Sequence, residues 1–361
     1  MTNAWELLVN KKDLNDTKIR TNDGPAPDLA DGQVRFDIDS FAMTANNATY
    51  AVMGDAMQYW EFFPSEAGWG VVPVWGFATV VNSAHHGFTA GDRYYGYWPT
   101  ASHLVVEPER VTERGFTDGA AHRRDLPAVY NNYTNTTTDP SYDADLEGIQ
   151  SLLRPLFTTS FFIDDYFEDN DFFGAEAVLI ASASSKTAFA LAFCLNRRGV
   201  KAIGLTSAGN VDFVNGLGWY DEVATYDSLG DSALPLLQGP IAYVDMSGDA
   251  GVRAAIHNGA PDLRFDLMVG ATHWDATGFD ANLPGPTPEL FFAPSQIAKR
   301  AVEWGGAGVD ERVAAFWEPF VEAVASLLTV EERTGAEAAA AAYLGALNGS
   351  ADPSVGVIII P

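Results

Sequence analysis

Three observations predict an α/β fold in two parts, a strand-rich first domain and then a doubly wound parallel sheet. The stretch Val178 to Leu205, VLIASASSKTAFALAFCLNRRGVKAIGL, reads as strand, small-residue turn, helix and second strand. A unit of that kind implies a right-handed crossover in a parallel sheet. After it the chain keeps alternating extended and helical segments, and before it Trp69 to Tyr97 is strand-rich, punctuated by Gly and Pro. Within the central unit, Val178-Leu179-Ile180 is an apolar run and Ala181 to Ser185 are small side chains. Thr187 to Leu195 is helix-like, and Arg197-Arg198-Gly199 ends the helix with basic residues and then glycine.

The 361 residues are enough for two domains, and 47% hydrophobic with 12% aromatic content provides for a large core. No apolar run reaches a membrane-spanning length, and the opening residues lack a signal-peptide segment. A formal charge of −27 argues against nucleic acids and anionic membranes as partners and suits a cytoplasmic protein. The single cysteine, Cys194, excludes an intrachain disulfide and a multi-cysteine zinc site. It lies in the apolar helix, where buried packing is expected.

Residues 1–33 are polar and end in a turn between Pro25 and Gly32, after which Gln33 to Asp39 alternates as a half-buried strand does. Phe41 to Gly54 carries an Asn46-Asn47 turn followed by Tyr50. Residues 115–150 are irregular and polar, and read as an inserted surface loop in which Tyr130, Tyr133 and Tyr142 anchor the chain. Thr158 to Asn170 reads as the helix entering the second domain. Extended segments then fall at Lys201–Leu205, Glu222–Tyr226, Ile241–Asp245 and Asp266–Gly270, and the Pro284 to Pro288 cluster ends the run. Glu311 to Leu328, with a kink at Pro319, and Ala336 to Leu347 are helical, and Val355 to Ile360 is a closing strand. The domains are expected at 1–157, 158–295 and 296–361, the last returning to the first.

The order of these parts resembles the medium-chain dehydrogenase/reductase superfamily, in its zinc-independent quinone and enoyl reductase branch. The resemblance rests on GQVRFDIDSFAMTANNATY, on the stretch ending in Gly91-Asp92-Arg93, on GLGWYDEVATYDS and on the closing SVGVIIIP. It implies an N-terminal, mostly-β, GroES-like catalytic domain with a partly closed barrel, a Rossmann domain and NADP(H) as cofactor. Thr159 stands where the family has a Thr starting the inter-domain helix, and Ile241–Gly248 with Leu267–Gly270 resembles the last Rossmann strands. Ser182, Ser185 and Ala188 replace the glycines of the family's turn, and a Ser-Ser-Lys-Thr run brings Lys186 into it.

Small residues at a strand's carboxyl end let backbone amides and a helix N-terminus approach a phosphate. The expected cradle is Ser182, Ala183, Ser184, Ser185, Lys186 and Thr187, and the resemblance adds Thr159, Thr206, Ser247, Gly248, Gly270, Ala271 and Thr272 as cofactor-binding positions. Lys186 adds a cation beside a phosphate, or turns away to solvent or an acid, or fills the site. The second strand ends in Leu205-Thr206-Ser207-Ala208-Gly209-Asn210 with no acid to hold a ribose 2′-hydroxyl, which favours NADP(H) over NAD(H). The resemblance puts Ser207, Asn210 and Tyr226 at phosphate-contacting positions, with Asn210 replacing a usual Lys.

No metal is expected, because the zinc ligand sets are missing and the adjacent His85 and His86 point to opposite sides of an extended chain. The work implied by the resemblance is hydride transfer to an activated C=C or carbonyl of an apolar or aromatic small molecule. Tyr50 is the expected hydrogen-bond donor to the substrate carbonyl, with Asn46 either orienting substrate or capping its turn. His273, after Gly270, Ala271 and Thr272 at a strand's carboxyl end, is the second catalytic candidate. A lyase or isomerase that holds the nucleotide without net redox change, and a non-catalytic nucleotide-binding protein, remain alternatives. Glu289-Leu290-Phe291-Phe292 would serve a homodimer or an intrachain strand equally.

Overall fold

The computed structural model describes residues 4–22, 24, 26–229, 234–269, 283–349 and 351–361. The chain divides into two units, one of residues 1–152, 329–351 and 355–361 and the other of residues 153–328 and 352–354.

The first unit opens with a hairpin, β1 (Ala4–Asn10) and β2 (Asp13–Asn22), although residues 1–33 read only as a polar lead-in. The strand signal is weak because β2 is an edge strand with exposed side chains, whereas β1 buries Trp5, Leu7, Leu8 and Val9. β3 (Val34–Met43) leads into α1 (Ala45–Val52), where the sequence suggested a turn. The Thr44 hydroxyl accepts from the Asn46 amide, and the Asn47 carboxamide accepts from the Thr44 N–H at 2.7 Å. The two asparagines that mimic a turn thus cap a helix.

The chain continues through β4 (Trp69–Gly70), β5 (Pro73–Ser83), β6 (Arg93–Pro99), β7 (His103–Val106), β8 (Pro108–Thr112), β9 (Gly115–Asp118) and β10 (Asn132–Asn135). β9 and β10 lie in the region read as a surface loop, and they are instead paired members of the main sheet. Buried Arg123 explains this. Its guanidinium donates to Asp118, Asn131, the Tyr133 hydroxyl and the Tyr130 carbonyl, all at 2.8–2.9 Å, so a polar segment folds inward with its charge satisfied. The His85 and His86 rings stack with centroids 4.7 Å apart, because the chain bends there instead of running extended. Among the described residues no group of three His, Cys, Asp or Glu side chains is placed to hold a metal ion.

α2 (Glu147–Asp169) carries the chain into the second unit. There β11 (Ala177–Ala181), α3 (Lys186–Arg198), β12 (Lys201–Thr206), α4 (Val211–Leu217), β13 (Glu222–Thr225), β14 (Ile241–Asp245), α5 (Ala250–Gly259), β15 (Leu263–Met268) and β16 (Glu289–Leu290) follow. The strands form a six-stranded sheet in the order β13-β12-β11-β14-β15-β16, every pair parallel. This is the doubly wound Rossmann arrangement. Gly199 closes α3 in the left-handed conformation, and Cys194 is fully buried, its thiol pushed well up by loss of solvent.

α6 (Ala293–Val324) belongs to the second unit, so the return to the first unit begins at Thr329 and not at 296. Phe320 packs on Phe157, Phe193 and Trp219, and Arg300 pairs with Asp165 at 2.8 Å, which keeps α6 in that core. The backbone leaves helical geometry at Gly305 (φ +71°), not at Pro319. β17 (Thr329–Thr334), α7 (Ala336–Leu347) and β18 (Val355–Ile360) then complete the nine-stranded sheet of the first unit. Its order is β17-β18-β3-β5-β6-β10-β9-β8, with β7 paired to β3.

In the middle of β5, a Cβ on Gly76 would lie 2.0 Å from the Ser40 carbonyl oxygen of β3. That neighbour is backbone and cannot turn aside. Gly76→Ala is therefore expected to destabilise the protein by about 1–3 kcal/mol, read as a lower urea midpoint; an unchanged midpoint would contradict the close approach.

Candidate functional site

In the second unit the turn from β11 to α3 lies at the carboxyl edge of the parallel sheet, the edge at which open α/β sheets hold ligands. Ser182 there has φ +52°, the left-handed region that glycine favours. Its N–H donates to the Tyr226 hydroxyl at 2.8 Å, and the Ala183 N–H donates to the Leu205 carbonyl at 3.0 Å. The Tyr220 hydroxyl donates to the Ala183 carbonyl at 2.9 Å. Two phenols from the β13 side thus brace a turn that lacks the usual glycines.

Ser185 caps α3, its hydroxyl accepting from the Ala188 amide at 3.3 Å. The amides of the first helical residues, Lys186 and Thr187, have no acceptor within the helix. The Asn210 carboxamide donates to the Ser184 hydroxyl at 3.0 Å, linking the end of β12 to the turn. Thr206 is buried, whereas Ser207, Ala208 and Gly209 are exposed. A left-handed small-residue turn, the start of a helix and the exposed Ser207 hydroxyl at an acid-free strand end suit an anionic group such as a phosphate.

Other candidates are engaged elsewhere. The Lys186 ammonium donates to the Pro353 carbonyl at 3.2 Å, and loss of solvent around it lowers its pKa to about 8, against the opposing pull of Asp352. The Thr159 hydroxyl donates to the Pro155 carbonyl of its own helix at 3.1 Å. The amides of Ser247 and Gly248 both donate to the Asp245 carboxylate at 2.9 Å, so an internal anion takes the donors offered by that turn. Gly270, Ala271, Thr272 and His273 lie outside the described residues.

Asp245 opens a buried network that sequence reasoning missed. Arg253 donates to Asp245 at 2.5 Å, and His257 contacts the Asp266 carboxylate through Nε2 at 2.7 Å and the Pro284 carbonyl through Nδ1 at 2.6 Å. Both partners of His257 offer acceptor oxygens, an arrangement that favours a proton on each ring nitrogen. Burial alone would lower its pKa, but the bonds to Asp266 and Pro284 outweigh that and raise it. Arg253 and His257 thus face the carboxyl groups of Asp245 and Asp266 in one buried cluster. The spacing Arg253, His257 on α5 carried a signal, one helical turn apart on one face.

In the first unit Tyr50 projects from α1 into a cluster of rings: Tyr59 at 4.6 Å between centroids, Tyr97 at 5.5 Å and Tyr130 at 6.5 Å. Its hydroxyl oxygen accepts the Trp75 indole N–H at 3.1 Å. Burial, and after it the neighbouring Tyr59, hold its pKa well above the ordinary phenol value, while Trp75 and Asn46 pull the other way. Asn46 thus serves both the start of α1 and the phenol one turn later. A phenol so placed stays neutral at physiological pH and keeps a hydrogen it can donate.

A family model described as "Protein of unknown function (DUF2855)" matches residues 41–352, and the chain belongs to that family. No curated protein matches the sequence. Among solved structures, CurA from Vibrio vulnificus is similar at 14% identity and TM-score 0.63, over 99% of this chain and 98% of that one. The same protein in complex with NADPH gives 15%, 0.63, and 99% of each chain. The mitochondrial 2-enoyl thioester reductase Etr1p/Etr2p heterodimer from Candida tropicalis gives 11%, 0.60, and 100% of each. The fold is thus the one implied by the resemblance to the medium-chain dehydrogenase/reductases.

Ser182→Gly is expected to leave stability unchanged or raise it by up to about 1 kcal/mol, because relief of left-handed strain offsets the entropy of glycine. A lowered urea midpoint would contradict the strained turn. For His257 the folded pKa is the raised one, so its stabilising effect is full below pH 6.5, the ordinary histidine value, and is lost as pH rises through the raised value. The urea midpoint is expected to fall across that window in the parent protein and to lose this component in His257→Gln.

Proposed function

We propose that this DUF2855 protein is a zinc-independent, NADPH-dependent reductase of an activated C=C or carbonyl, acting on an apolar or aromatic enone or quinone. The observation that carries the reading is the left-handed turn at Ser182, at the carboxyl edge of a six-stranded parallel sheet and opening α3. Likeness of fold over the whole chain to structures solved with NADPH supports it.

The cofactor's phosphates are assigned to the amides at the start of α3 and to the hydroxyls of Ser184 and Ser185. The 2′-phosphate is assigned to Ser207, Asn210 and Tyr226, since an acid that would repel it is missing between Leu205 and Val211. Lys186 is the one cation of the turn, and a phosphate competing with the Pro353 carbonyl would draw on it. When bound, NADPH supplies the hydride.

Tyr50 is assigned as the donor to the substrate's carbonyl oxygen, where negative charge grows as the C=C or C=O bond is reduced. Burial keeps its proton in place at physiological pH, and Asn46 and Trp75 act on the phenol oxygen. His273 is assigned as a second group that exchanges a proton. The aromatic rings around Tyr50 exclude water and suit an apolar substrate. A protein in solution that acts as a homodimer through the strand edge at Leu290, which is 57% exposed, fits the same reading. Among the described residues no helix is long and apolar enough to cross a membrane, which fits a small-molecule enzyme of the cytoplasm.

The test is loss of NADPH absorbance with benzylideneacetone and 1,4-naphthoquinone as acceptors. Substrate-dependent oxidation is expected, and Tyr50→Phe should lower kcat for the enone by roughly 10²-fold with NADPH affinity retained. Product formation without NADPH loss would point to a lyase or isomerase, and NADPH binding with no turnover on either acceptor would count against the reductase.

A further inference from the structure

The Tyr50 phenol accepts a hydrogen bond at 3.1 Å from Trp75, and Asn46 and Tyr97 also act on it. The donor is the indole of Trp75, a group that can donate and cannot accept. The direction of that bond is therefore fixed: the indole hydrogen points at the phenol oxygen, and the phenol's own hydrogen must point elsewhere. The neighbouring Tyr97 hydroxyl is likewise buried and makes no hydrogen bond of full geometry among the described residues.

Trp75 is held firmly enough to give the bond one geometry. It sits in β5, which is paired on both sides, to β3 and to β6. Its ring stacks on Tyr95 with centroids 5.6 Å apart and 20° between planes, and it lies 5.0 Å from Tyr97 and 6.1 Å from Tyr130. Tyr50 is fixed from its own side by α1, whose capping box and Asn47–Pro73 hydrogen bond of 2.8 Å tie the helix to the start of β5. Two side chains on separate, rigid elements thus meet through one directional bond.

We infer that Trp75 is a positioning residue for Tyr50: by donating to the phenol oxygen it turns the phenol's hydrogen away from the indole and strengthens the phenol as a donor. The inference rests on the reading of Tyr50 as the donor to substrate. A hydrogen bond accepted by the phenol oxygen stabilises the negative charge that oxygen gains as its own hydrogen is drawn toward an acceptor. The benefit grows along the reaction, so it falls on kcat and not on substrate affinity.

The test has two arms. In protein labelled with 15N-tryptophan, the Trp75 indole N–H signal is one of nine, identified by its loss in Trp75→Phe. It is expected to move upfield in Tyr50→Phe, because its acceptor is gone; an unmoved signal overturns the inference whether or not any substrate is turned over. In the second arm, NADPH and benzylideneacetone are the probes. Trp75→Phe keeps an aromatic ring and is expected to lower kcat about tenfold, the loss of one neutral hydrogen bond, with KM and NADPH affinity held and the solvent deuterium isotope effect enlarged. Trp75→His, which restores an N–H, should recover part of the rate. Wild-type kcat in Trp75→Phe beside an inactive Tyr50→Phe would overturn the inference and leave Tyr50 as the donor. Full activity in Tyr50→Phe would instead remove the donor reading itself, and this inference with it.

Discussion

The parallel pairing of β11 with both β12 and β14 is the constraint on which the second unit depends. A strand buried between two parallel neighbours can leave the sheet only at its carboxyl end, and the chain must then turn at once to start the crossover helix. Ser182 takes the strained left-handed conformation at that point, and the Tyr226 and Tyr220 hydroxyls hold the turn where glycines would have relaxed it. Small side chains and a helix start then face the edge of the sheet because the topology leaves them no other place. The function proposed for this edge follows from that geometry more than from any one side chain.

Charge is handled differently in the two units, with the same physical logic. In the second, Asp245 satisfies the Ser247 and Gly248 amides, and Arg253 and His257 face Asp245 and Asp266. In the first, Arg123 is buried with four hydrogen-bonded partners. Each removes charge from water only where opposite charge and hydrogen-bonding partners are waiting, which is the condition for burying it at all.

The central unit was legible in the sequence because its signals are local: an apolar run at Val178–Ile180, a basic last turn and Gly199. Where partners lie far apart in the chain, the sequence misled. Asn46 and Asn47 look like turn residues, and only the Thr44 cap and the Pro73 carbonyl make them helical. Residues 115–150 look like a solvated loop because their inward anchor is an arginine. β2 is an edge strand with a polar face, and His85-His86 lie in a bend that no period reveals. At the site, Tyr50 was legible as a neutral donor, but the Trp75 indole that bonds it comes from β5, twenty-five positions on. The same distance effect hid Pro353 behind Lys186.

The central claim is that a turn without its glycines still holds a phosphorylated nicotinamide cofactor. Calorimetric titration of the purified full chain with NADPH, and separately with NADH, tests it most directly. The account predicts saturable binding of NADPH and weaker binding of NADH, since the end of β12 offers hydroxyls and no acid. No heat of binding with either nucleotide would contradict it, and would mean that Tyr226 and Lys186 close the turn instead of lining it.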